Sequence, residues 1–496
     1  MFGIARTAVL LLLLAPLPAF AALSCADLQK AFGASLADIN CFASADLTTA
    51  NTQTTPADNS LSGLPAFAFT PTTDRSVIAP SLGKRTPITK AVPGIQLNAR
   101  IASDPQGQAR FLLRLPNDWN GRLVVAGASG TRSEFNGDFA WSDYVVQKGY
   151  AYASQNKGVL NLQLSTAADP LACRLAPLVP VFVHFYDNDP GQPFTRWAEF
   201  MIKAAELARE GVKAGYGRHP RYTYAVGTSN GGYQVRRAIE SAPELFDGGV
   251  DWEGTFVDAH APNLLTDLPP AILNFPDYAA SGLNPASTAA KNIQAAGYPP
   301  DIVIGAASFW GRYNGQFWEV TQCQWQKRLD PTYDTYVSGT GTYNYIARLS
   351  VSDVGAQMAA FATTGRIKRP LVTVAGTMDA LLPIDHHARA YARKVAAAAK
   401  HKHHDHKNHD KDDDERAAAY RLYEVQNGNH IETYQDTPPA FPQLELIEPH
   451  AQRAFDLVVD QVEHGATLPP DQCVPRSGAI ADSPAQPGHC ASLFVP

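Results

Sequence analysis

Ser229 lies in a glycine-flanked motif that is typical of an activated serine nucleophile. The motif is Gly227-Thr228-Ser229-Asn230-Gly231, which follows the β-rich run 222–226 and precedes a helical pattern that reaches Glu240. A nucleophile elbow needs a strand, a tight turn that strains the serine backbone, and a helix whose N-terminus faces the developing oxyanion. Because these features occur here in that order, we predict that Ser229 is a nucleophile in acyl transfer.

A serine nucleophile needs a histidine to take its proton and an acid to orient that histidine. In α/β-hydrolases these groups follow the serine in the order acid, then histidine. Asp379 comes just after the apolar run 371–375, and His430 comes just after the run 421–425. Both positions lie past the C-terminal end of a strand, where doubly wound sheets build their sites. Asp385 is the alternative acid, and an N-cap is the alternative role for Asp379.

The tetrahedral oxyanion requires preorganised backbone N–H donors. We expect one donor from Asn230, the residue after the nucleophile. The second donor is expected from the small-residue loop Gly127-Ala128-Ser129-Gly130, where Ala128 and Ser129 are the candidates. A plain glycine-rich turn is the alternative interpretation of this loop.

The elements that must position these groups alternate between strands and helices. Apolar runs predict strands at 109–115, 122–126, 150–154, 222–226, 371–375 and 421–425, and amphipathic spacing predicts helices at 194–214 and 451–464. This alternation indicates an α/β fold: a doubly wound, mostly parallel sheet of the α/β-hydrolase type with an inserted lid domain.

The domain boundaries follow from changes in this rhythm. We expect a signal peptide (1–21), an irregular segment packed on the core (22–92), the first part of the core (93–253), a lid (254–368), the second part of the core (369–470) and a C-terminal tail (471–496). The lid is rich in aromatic residues, and Trp310, Tyr313 and Trp318 are the candidates for substrate binding. The alternative is that these rings form only the core of the lid.

Composition limits the possible functions. The chain has 496 residues with 41 basic and 47 acidic side chains, a net charge of −6, so we expect no nucleic-acid partner. Arg6, the apolar run 8–14 and Ala19-Phe20-Ala21 predict a cleavable export signal and a secreted or periplasmic protein. The run is too short to span a bilayer, so we expect no membrane anchor; a lipoprotein modified at Cys25 is the alternative.

Six cysteines in an exported chain favour three disulfides. Sequence proximity suggests Cys25 with Cys41 and Cys473 with Cys490. A further feature is the histidine- and aspartate-rich stretch 401–416, which is either a solvated loop or a site for a transition metal. The predicted catalytic groups need neither a cofactor nor a metal.

Several stretches resemble the tannase and feruloyl esterase family of exported α/β-hydrolases. The stretches are CADLQKAFGASLADINC, LRLPNDWNGRLVVAGASG, GYAYASQNKG, YGRHPRYTYAVGTSNGGYQVRRAIESAPELFDGGV and FDLVVDQVEHGATLPPD. The resemblance implies that Ser229, Asp379 and His430 form the triad and that the lid shapes the substrate pocket. Family members typically carry a cysteine pair where this chain has Thr228 and Ile431, so the chain resembles a divergent branch. The calcium loop of some members is also missing.

The residues and the resemblance together predict a secreted serine esterase whose partner is a small or oligomeric ester. The aromatic lid favours phenolic or polyester-derived aromatic esters. Oligomers or polyesters of aliphatic hydroxyacids such as hydroxybutyrate are the rival substrates. Two further alternatives are a serine peptidase of the prolyl oligopeptidase type, for which too few residues precede the first strands, and a noncatalytic binding module with a metal-scavenging histidine-rich loop.

Overall fold

The structure, a computed structural model, describes residues 24–66, 68–76, 80–130, 132–159, 171–176, 178–180, 182, 194–333, 342–405 and 419–496. The predicted signal segment 1–21 and residues 406–416 of the histidine-rich stretch lie outside this part of the chain. Residues 401–405 belong to a helix.

Twelve strands occur in the described residues. They are β1 (Leu36–Ser44), β2 (Gly94–Ile101), β3 (Arg110–Pro116), β4 (Arg122–Gly127), β5 (Ala151–Gln155), β6 (Tyr222–Thr228), β7 (Gly248–Trp252), β8 (Val303–Ile304), β9 (Ala307–Ser308), β10 (Leu371–Gly376), β11 (Tyr420–Val425) and β12 (Gln472–Val474).

Thirteen α-helices occur in the same part of the chain. They are α1 (Cys25–Phe32), α2 (Pro71–Ser76), α3 (Asp143–Val146), α4 (Thr195–Tyr216), α5 (Asn230–Ser241), α6 (Leu264–Ala280), α7 (Thr288–Ala295), α8 (Phe309–Tyr313), α9 (Glu319–Leu329), α10 (Tyr345–Arg348), α11 (Val354–Ala360), α12 (Ala388–Asp405) and α13 (Glu448–His464).

Ten of the strands form one sheet in the order β1-β2-β3-β5-β4-β6-β7-β10-β11-β12. Pairing is antiparallel from β1 to β5 and parallel from β5 to β12. The central strands β7 and β10 are buried along their whole length, as expected for parallel strands with helices on both faces. Helices α1, α4, α5 and α12 contribute to the apolar cluster on one face, and α3 and α13 contribute to the cluster on the other.

The predicted parallel α/β sheet is confirmed, with closely similar bounds for the strands that were expected. The structure adds strands that the sequence pattern did not indicate. The segment 22–92, expected to be irregular, contains α1 and the edge strand β1. In β1 the pairing register shifts between Ala37 and Asn40, and Asp38 adopts a φ of 53°. This bulge and its polar residues hide the alternation that marks a strand.

Three disulfides hold the outer parts of the chain. Cys25–Cys41 and Cys473–Cys490 are paired as expected, and the remaining bridge joins Cys173 to Cys323 in α9. Among the helices of the described residues, none combines the length and the apolar character that a membrane crossing requires.

Residues 254–368, between β7 and β10, are called the insertion. They carry helices α6 to α11 and the two-stranded β8–β9 pair. Their buried aromatic and aliphatic side chains form a third apolar cluster, which also includes residues of the loops that follow β10 and β11.

Candidate active site

Ser229 occupies the single position between β6 and α5. Its backbone has φ 59° and ψ −122°, a conformation that L-residues rarely adopt. The Ser229 N–H donates to the Trp252 carbonyl (2.9 Å), and the Ser229 carbonyl accepts from Tyr233 N–H (3.0 Å) in the first turn of α5. The neighbouring strand and the helix therefore hold the strained turn, as a nucleophile elbow requires.

Glycines let helix α5 approach the sheet at this turn. A Cβ on Gly231 would lie 2.6 Å from the carbonyl oxygen of Gly127, and a Cβ on Gly227 would lie 2.4 Å from the Gly231 carbonyl. Both distances are far below van der Waals contact. The glycines of the motif are thus required by the close approach of backbones and explain the spacing seen in the sequence.

His430 and Asp379 meet at the carboxyl end of the sheet. His430 Nδ1 lies 2.8 Å from Asp379 Oδ2, and both side chains are buried. The other carboxylate oxygen, Asp379 Oδ1, accepts the backbone N–H groups of Leu381 (2.8 Å) and Leu382 (2.7 Å). These amides fix the carboxylate, which in turn fixes the orientation of the imidazole. The alternative acid, Asp385, instead pairs with Arg389, and its side chain is half exposed.

Ser229 and His430 line one cavity of about 560 Å³, part of which is open to solvent. The other lining residues are Ser129, Gly130, Arg132, Thr228, Asn230, Thr255, Leu264, Phe317, Thr321, Leu381, Leu382 and Ile431. The wall is therefore mainly aliphatic and hydroxyl-bearing, with one aromatic ring.

The expected oxyanion donors differ in their placement. Asn230 opens helix α5 and lines the cavity, and its side chain is fixed by a hydrogen bond from Thr255 Oγ1 to Asn230 Oδ1 (2.8 Å). Ser129 also lines the cavity, but its N–H donates to Asn136 Oδ1 (3.1 Å). Ala128 is not among the lining residues. Gly130, which the sequence analysis did not select, lies in the wall next to Ser129.

Arg132 lines the cavity, and Lys157 lies behind the neighbouring loop. Arg132 is buried and lies 3.7 Å from Asp74, while Lys157 Nζ donates to the Ser129 carbonyl (2.8 Å). Burial raises the pKa of Asp74 to about 6, against the lowering effect of Arg132. Burial, together with the charge of Arg132, lowers the pKa of Lys157 well below its ordinary value. Lys157 thus supports the loop that faces the serine.

The three aromatic residues predicted to bind substrate lie elsewhere. Trp310, Tyr313 and Trp318 are fully buried in the apolar cluster of the insertion, and none lines the cavity. Packing against other rings occupies their faces: Trp310 contacts Tyr278 and Trp318 contacts Tyr298. The ring that does line the cavity is Phe317, next in sequence to Trp318.

Two of these rings instead hold the loops of the acid and the histidine. The indole N–H of Trp318 donates to the carbonyl of Ala380 (2.7 Å), the residue after Asp379. The hydroxyl of Tyr313 donates to Asn429 Oδ1, and Asn429 precedes His430. The insertion is therefore hydrogen-bonded to the loop after β10, which carries Asp379, and to the loop after β11, which carries His430.

Glu253 is a site residue that sequence reasoning missed. Its Oε2 lies 3.6 Å from His430 Nδ1, on the same side of the ring as Asp379. Burial, followed by the negative charge of Asp379, raises the pKa of Glu253 well above its ordinary value. The sequence carries little signal for it, because the preceding strand 248–252 reads Gly-Gly-Val-Asp-Trp and is not a clear apolar run.

A metal ion is the other arrangement that this cluster could accommodate. The candidate ligand atoms of Glu253, Asp379 and His430 all lie within 4.8 Å of one another. However, backbone N–H groups already donate to both carboxyl groups, including Gly376 N–H to Glu253 Oε1 (2.9 Å). This geometry suits an oriented imidazole better than a metal centre.

The fold has counterparts among solved structures. A solved structure of an esterase from Aspergillus oryzae covers 87% of this chain and 87% of its own, with 14% identity and a TM-score of 0.50. The fold is that of an α/β-hydrolase. Feruloyl esterase B from the same organism aligns over 87% of this chain and 88% of its own, with 13% identity and a TM-score of 0.47.

Sequence comparisons give a second, more local similarity. Residues 339–492 match the model of the 3HB-oligomer hydrolase family. A D-(-)-3-hydroxybutyrate oligomer hydrolase from Burkholderia thailandensis is 29% identical over 136 residues, which are 27% of this chain and 17% of the relative. The match thus spans less than a fifth of that relative's length. The family-model match includes Asp379 and His430 but begins after Ser229, which therefore lies outside it. Membership in the tannase and feruloyl esterase family stays a prediction.

Proposed function

We propose that the protein is a serine hydrolase of carboxylic esters. The observation that carries this proposal is the cavity shared by Ser229 and His430: one residue is held in a strained turn at the N-terminus of α5, and the other is hydrogen-bonded to Asp379. Each of the three groups follows a different parallel strand, at the same edge of the sheet. Such convergence of a nucleophile, a base and an acid is the arrangement that acyl transfer needs.

The mechanism follows from these positions. His430 Nε2 accepts the proton of the Ser229 hydroxyl while Ser229 Oγ forms a bond to the ester carbonyl carbon. The N-terminus of α5, beginning at Asn230, faces the oxyanion. The carbon–oxygen bond to the alcohol then breaks, and the alcohol leaves with the proton from His430. Water then attacks the acyl carbon while His430 takes its proton. The bond between that carbon and Ser229 Oγ breaks, Ser229 recovers the proton from His430, and the acid is released.

The cavity wall supports short oligomers of an aliphatic hydroxyacid, of the 3-hydroxybutyrate type, as substrates. Leu264, Leu381, Leu382 and Ile431 supply aliphatic surface that suits methyl-bearing acyl groups. The hydroxyls of lining threonines offer hydrogen bonds to the repeated ester oxygens of such an oligomer. The local similarity to hydroxybutyrate oligomer hydrolases supports the same class.

Arg132 could bind the terminal carboxylate of such an oligomer. A hydroxyacid oligomer ends in a carboxylate, and a guanidinium binds carboxylates through paired hydrogen bonds. Arg132 brings such a group to the cavity wall near Ser129 and Gly130. The enzyme is therefore expected to prefer an oligomer with a free acid end over the same oligomer capped as its methyl ester.

Aromatic esters are the second candidate substrates. Phe317 supports them, because its ring is positioned at the cavity wall and could stack on a phenolic acyl group. The chain offers less for this class than for aliphatic esters, since the aromatic residues around Phe317 are buried in the insertion.

Three disulfides suit an oxidising compartment, in keeping with the expected export.

The first experiment measures hydrolysis by the wild-type protein and by Ser229→Ala. The panel contains a hydroxybutyrate dimer, its methyl ester, methyl ferulate, methyl gallate, a terephthalate monoester and an X-Pro anilide. Ser241→Ala is the matched control, because Ser241 lies at the exposed end of the same helix. We expect dimer hydrolysis that Ser229→Ala abolishes and Ser241→Ala retains. Cleavage of the anilide alone would indicate a peptidase instead.

A fluorophosphonate probe tests the mechanism without knowledge of the substrate. Ser229 Oγ forms a bond to phosphorus, the phosphorus–fluorine bond breaks, and the serine proton passes to His430. Mass spectrometry of the labelled peptide identifies the modified residue. A protein that neither hydrolyses the panel nor reacts with the probe at Ser229 would be a noncatalytic binding module.

The acid-end assignment has its own comparison. We expect Arg132→Gln to raise KM for the free-acid dimer by about tenfold or more, because a hydrogen bond to a charged group contributes about 1.5–3 kcal/mol. KM for the methyl-capped dimer should change little. Equal changes for both dimers would show that Arg132 acts on the fold of the loop rather than on the carboxylate.

A further inference from the structure

Glu253 is held rigidly beside the predicted triad by the strand next to its own. It is the first residue after β7 and adopts a φ of 50°, which is unusual for a residue other than glycine. Its N–H donates to the carbonyl of Val374 in β10 (2.8 Å), and its Oε1 accepts the N–H of Gly376 at the end of β10 (2.9 Å). A strained backbone at this edge of the sheet marks a position that the surrounding structure determines.

The remaining oxygen of Glu253 faces the histidine. Glu253 Oε2 lies 3.6 Å from His430 Nδ1 and has no hydrogen-bond partner within 3.5 Å among the described residues. The side chain of Trp252 acts on the same carboxyl group from further away and lowers its pKa slightly, against the effect of burial. The Glu253 side chain is 1% exposed, so water does not replace the missing partner at the surface. A buried carboxyl oxygen without a partner carries a large desolvation cost, and here it is aimed at the ring that orients the base.

The surrounding charges decide which carboxyl group of the cluster holds a proton. The groups facing Glu253 are Asp379 on the loop after β10, His430 and Glu432 on the loop after β11, and the phenol of Tyr313 on α8. Two backbone amides stabilise the charge of Asp379, whereas Glu253 Oε1 has one such amide. Burial, followed by the repulsion between two adjacent carboxyl groups, raises the pKa of Glu253, so Glu253 is the group of the pair that holds a proton.

We propose that Glu253 is a second carboxyl partner of His430: a positioning residue that keeps Nδ1 of the imidazole aligned and takes over from Asp379 when the charge of Asp379 is removed. The inference rests on the proposed function, because it requires His430 to act on Ser229. Nδ1 of His430 then has two carboxyl groups within 4 Å, of which only one is charged at a time.

Asp379→Asn exposes this second partner. Without the neighbouring charge the pKa of Glu253 falls, although burial still raises it, so a carboxylate forms as the pH rises and can then accept a hydrogen bond from the Nδ1–H group of His430. The residual reactivity of Asp379→Asn should therefore rise with pH more steeply than that of a variant that also lacks Glu253. A purely structural role for Glu253 gives no such difference in the pH profile.

The experiment measures the rate of fluorophosphonate labelling of Ser229 from mildly acidic to alkaline pH. The proteins are the wild type, Asp379→Asn, Asp379→Asn with Glu253→Gln, and Asp379→Asn with Glu432→Gln. Glu432 is the matched control, because it is also a buried carboxyl group near His430 but accepts the N–H groups of Ile447 and Glu448 instead. Circular dichroism checks that each variant is folded.

Asp379→Asn alone is expected to react about 10²–10⁴-fold more slowly than the wild type. Adding Glu253→Gln should reduce the alkaline rate by a further tenfold or more, since it removes the charged hydrogen-bond acceptor that remains for Nδ1 of His430. Adding Glu432→Gln should leave the alkaline rate of Asp379→Asn unchanged, and any shift of its pH profile should be toward lower pH, because a charge on Glu432 raises the pKa of Glu253.

The outcomes separate the two proposals. If the wild type is not labelled at Ser229, the proposed function fails and this inference fails with it. If the wild type is labelled but the Glu253 double variant matches Asp379→Asn at every pH, the inference alone is overturned. If the double variant does not fold, the single variant decides: a pH profile parallel to that of the wild type would contradict the second partner.

Discussion

At the scale of single residues, the site is built from positions just past the ends of strands. The N–H of Ser229 donates to Trp252 at the end of β7, the N–H of Glu253 donates to Val374 in β10, and the N–H of Thr377 donates to Val425 in β11. In each case a carbonyl of one strand accepts the N–H of the first residue after the neighbouring strand. The parallel ladder continues one residue beyond the strands, and this fixes the strained backbone of Ser229 and Glu253.

Gly231→Ala should disrupt this turn. The new Cβ would lie 2.6 Å from the Gly127 carbonyl oxygen, and neither backbone can move without displacing Ser229. We expect a loss of about 1–3 kcal/mol in the free energy of unfolding, as for other overpacked sites, together with slower labelling of Ser229. Urea unfolding and fluorophosphonate labelling measure the two effects.

Gly315→Ala is the control for Gly231→Ala, because a Cβ on Gly315 meets no heavy atom within 4 Å. It should leave the unfolding midpoint and the labelling rate close to those of the wild type. Equal behaviour of the two variants would mean that the close approach of α5 to the sheet is not what requires glycine at 231.

The location of Ser229, Asp379 and His430 just past strands could be predicted from the sequence, because each follows a recognisable apolar run. Their catalytic roles stay a prediction. The sequence did not predict Glu253, since an acidic residue after a strand is common and its distance to His430 depends on which strands are neighbours. β7 and β10 are neighbours in the sheet although the insertion separates them in sequence, and the sequence pattern does not show this.

At the scale of elements, the insertion supports the loops of the site as well as covering them. Trp318 donates to Ala380 beside the acid, and Tyr313 donates to Asn429 beside the histidine. The sequence indicated an aromatic insertion but not the location of its rings. Aromatic residues serve equally well as a core or as a pocket wall, and only the packing of α8 and α9 decides between these uses.

Trp318→Phe and Trp310→Phe form a matched pair that tests this support. Each replacement keeps a buried ring and removes one indole hydrogen bond to a carbonyl, at Ala380 (2.7 Å) or at Pro299 (3.0 Å). Both should lower the free energy of unfolding by about 1–3 kcal/mol, the cost of an unpaired buried acceptor. Only Trp318→Phe should lower kcat, because only Ala380 adjoins Asp379. Equal values of kcat for the two variants would contradict a role in positioning.

At the scale of the whole molecule, the last residues of the chain close over the same loops. Asn427 Nδ2 donates to the carbonyl of Val495 (2.6 Å), and the N–H of Val495 donates back to Asn427 Oδ1 (2.8 Å). Gln426 Nε2 donates to Ser492 (3.0 Å), and Thr377 Oγ1 donates to Leu493. The loops after β10 and β11 are thus tied to the tail as well as to the insertion.

Removal of residues 492–496 should loosen both loops. We expect a lower kcat and faster hydrogen exchange in the loops that carry Asp379 and His430, while the Cys473–Cys490 disulfide remains. Removal of Pro496 alone is the control, because proline has no N–H to donate and Val495 keeps its bonds to Asn427. Unchanged exchange in the longer deletion would show that the tail does not stabilise the site.

The N-terminal segment is attached to the core through buried carboxyl groups, and this makes stability depend on pH. Asp143 in α3 accepts the N–H of Thr49 (2.9 Å), and Glu448 in α13 accepts the hydroxyl of Thr86 (2.9 Å). Burial raises the pKa of Asp143 to about 7 and that of Glu448 to about 7. Both groups are most stable in the fold when they carry a proton.

Stability should therefore fall as the pH rises through the folded-state pKa values. A pKa raised in the folded state stabilises the protein fully below the unfolded value, 3.8 for aspartate, and that contribution is lost by about pH 7. Asp143→Asn stays neutral, so its free energy of unfolding should decline less between mildly acidic and neutral pH. The difference in slope is at most about 1.4 kcal/mol per pH unit. Asp385→Asn, at a half-exposed position, is the control, and a wild-type slope in Asp143→Asn would show that Asp143 is already ionised in the fold.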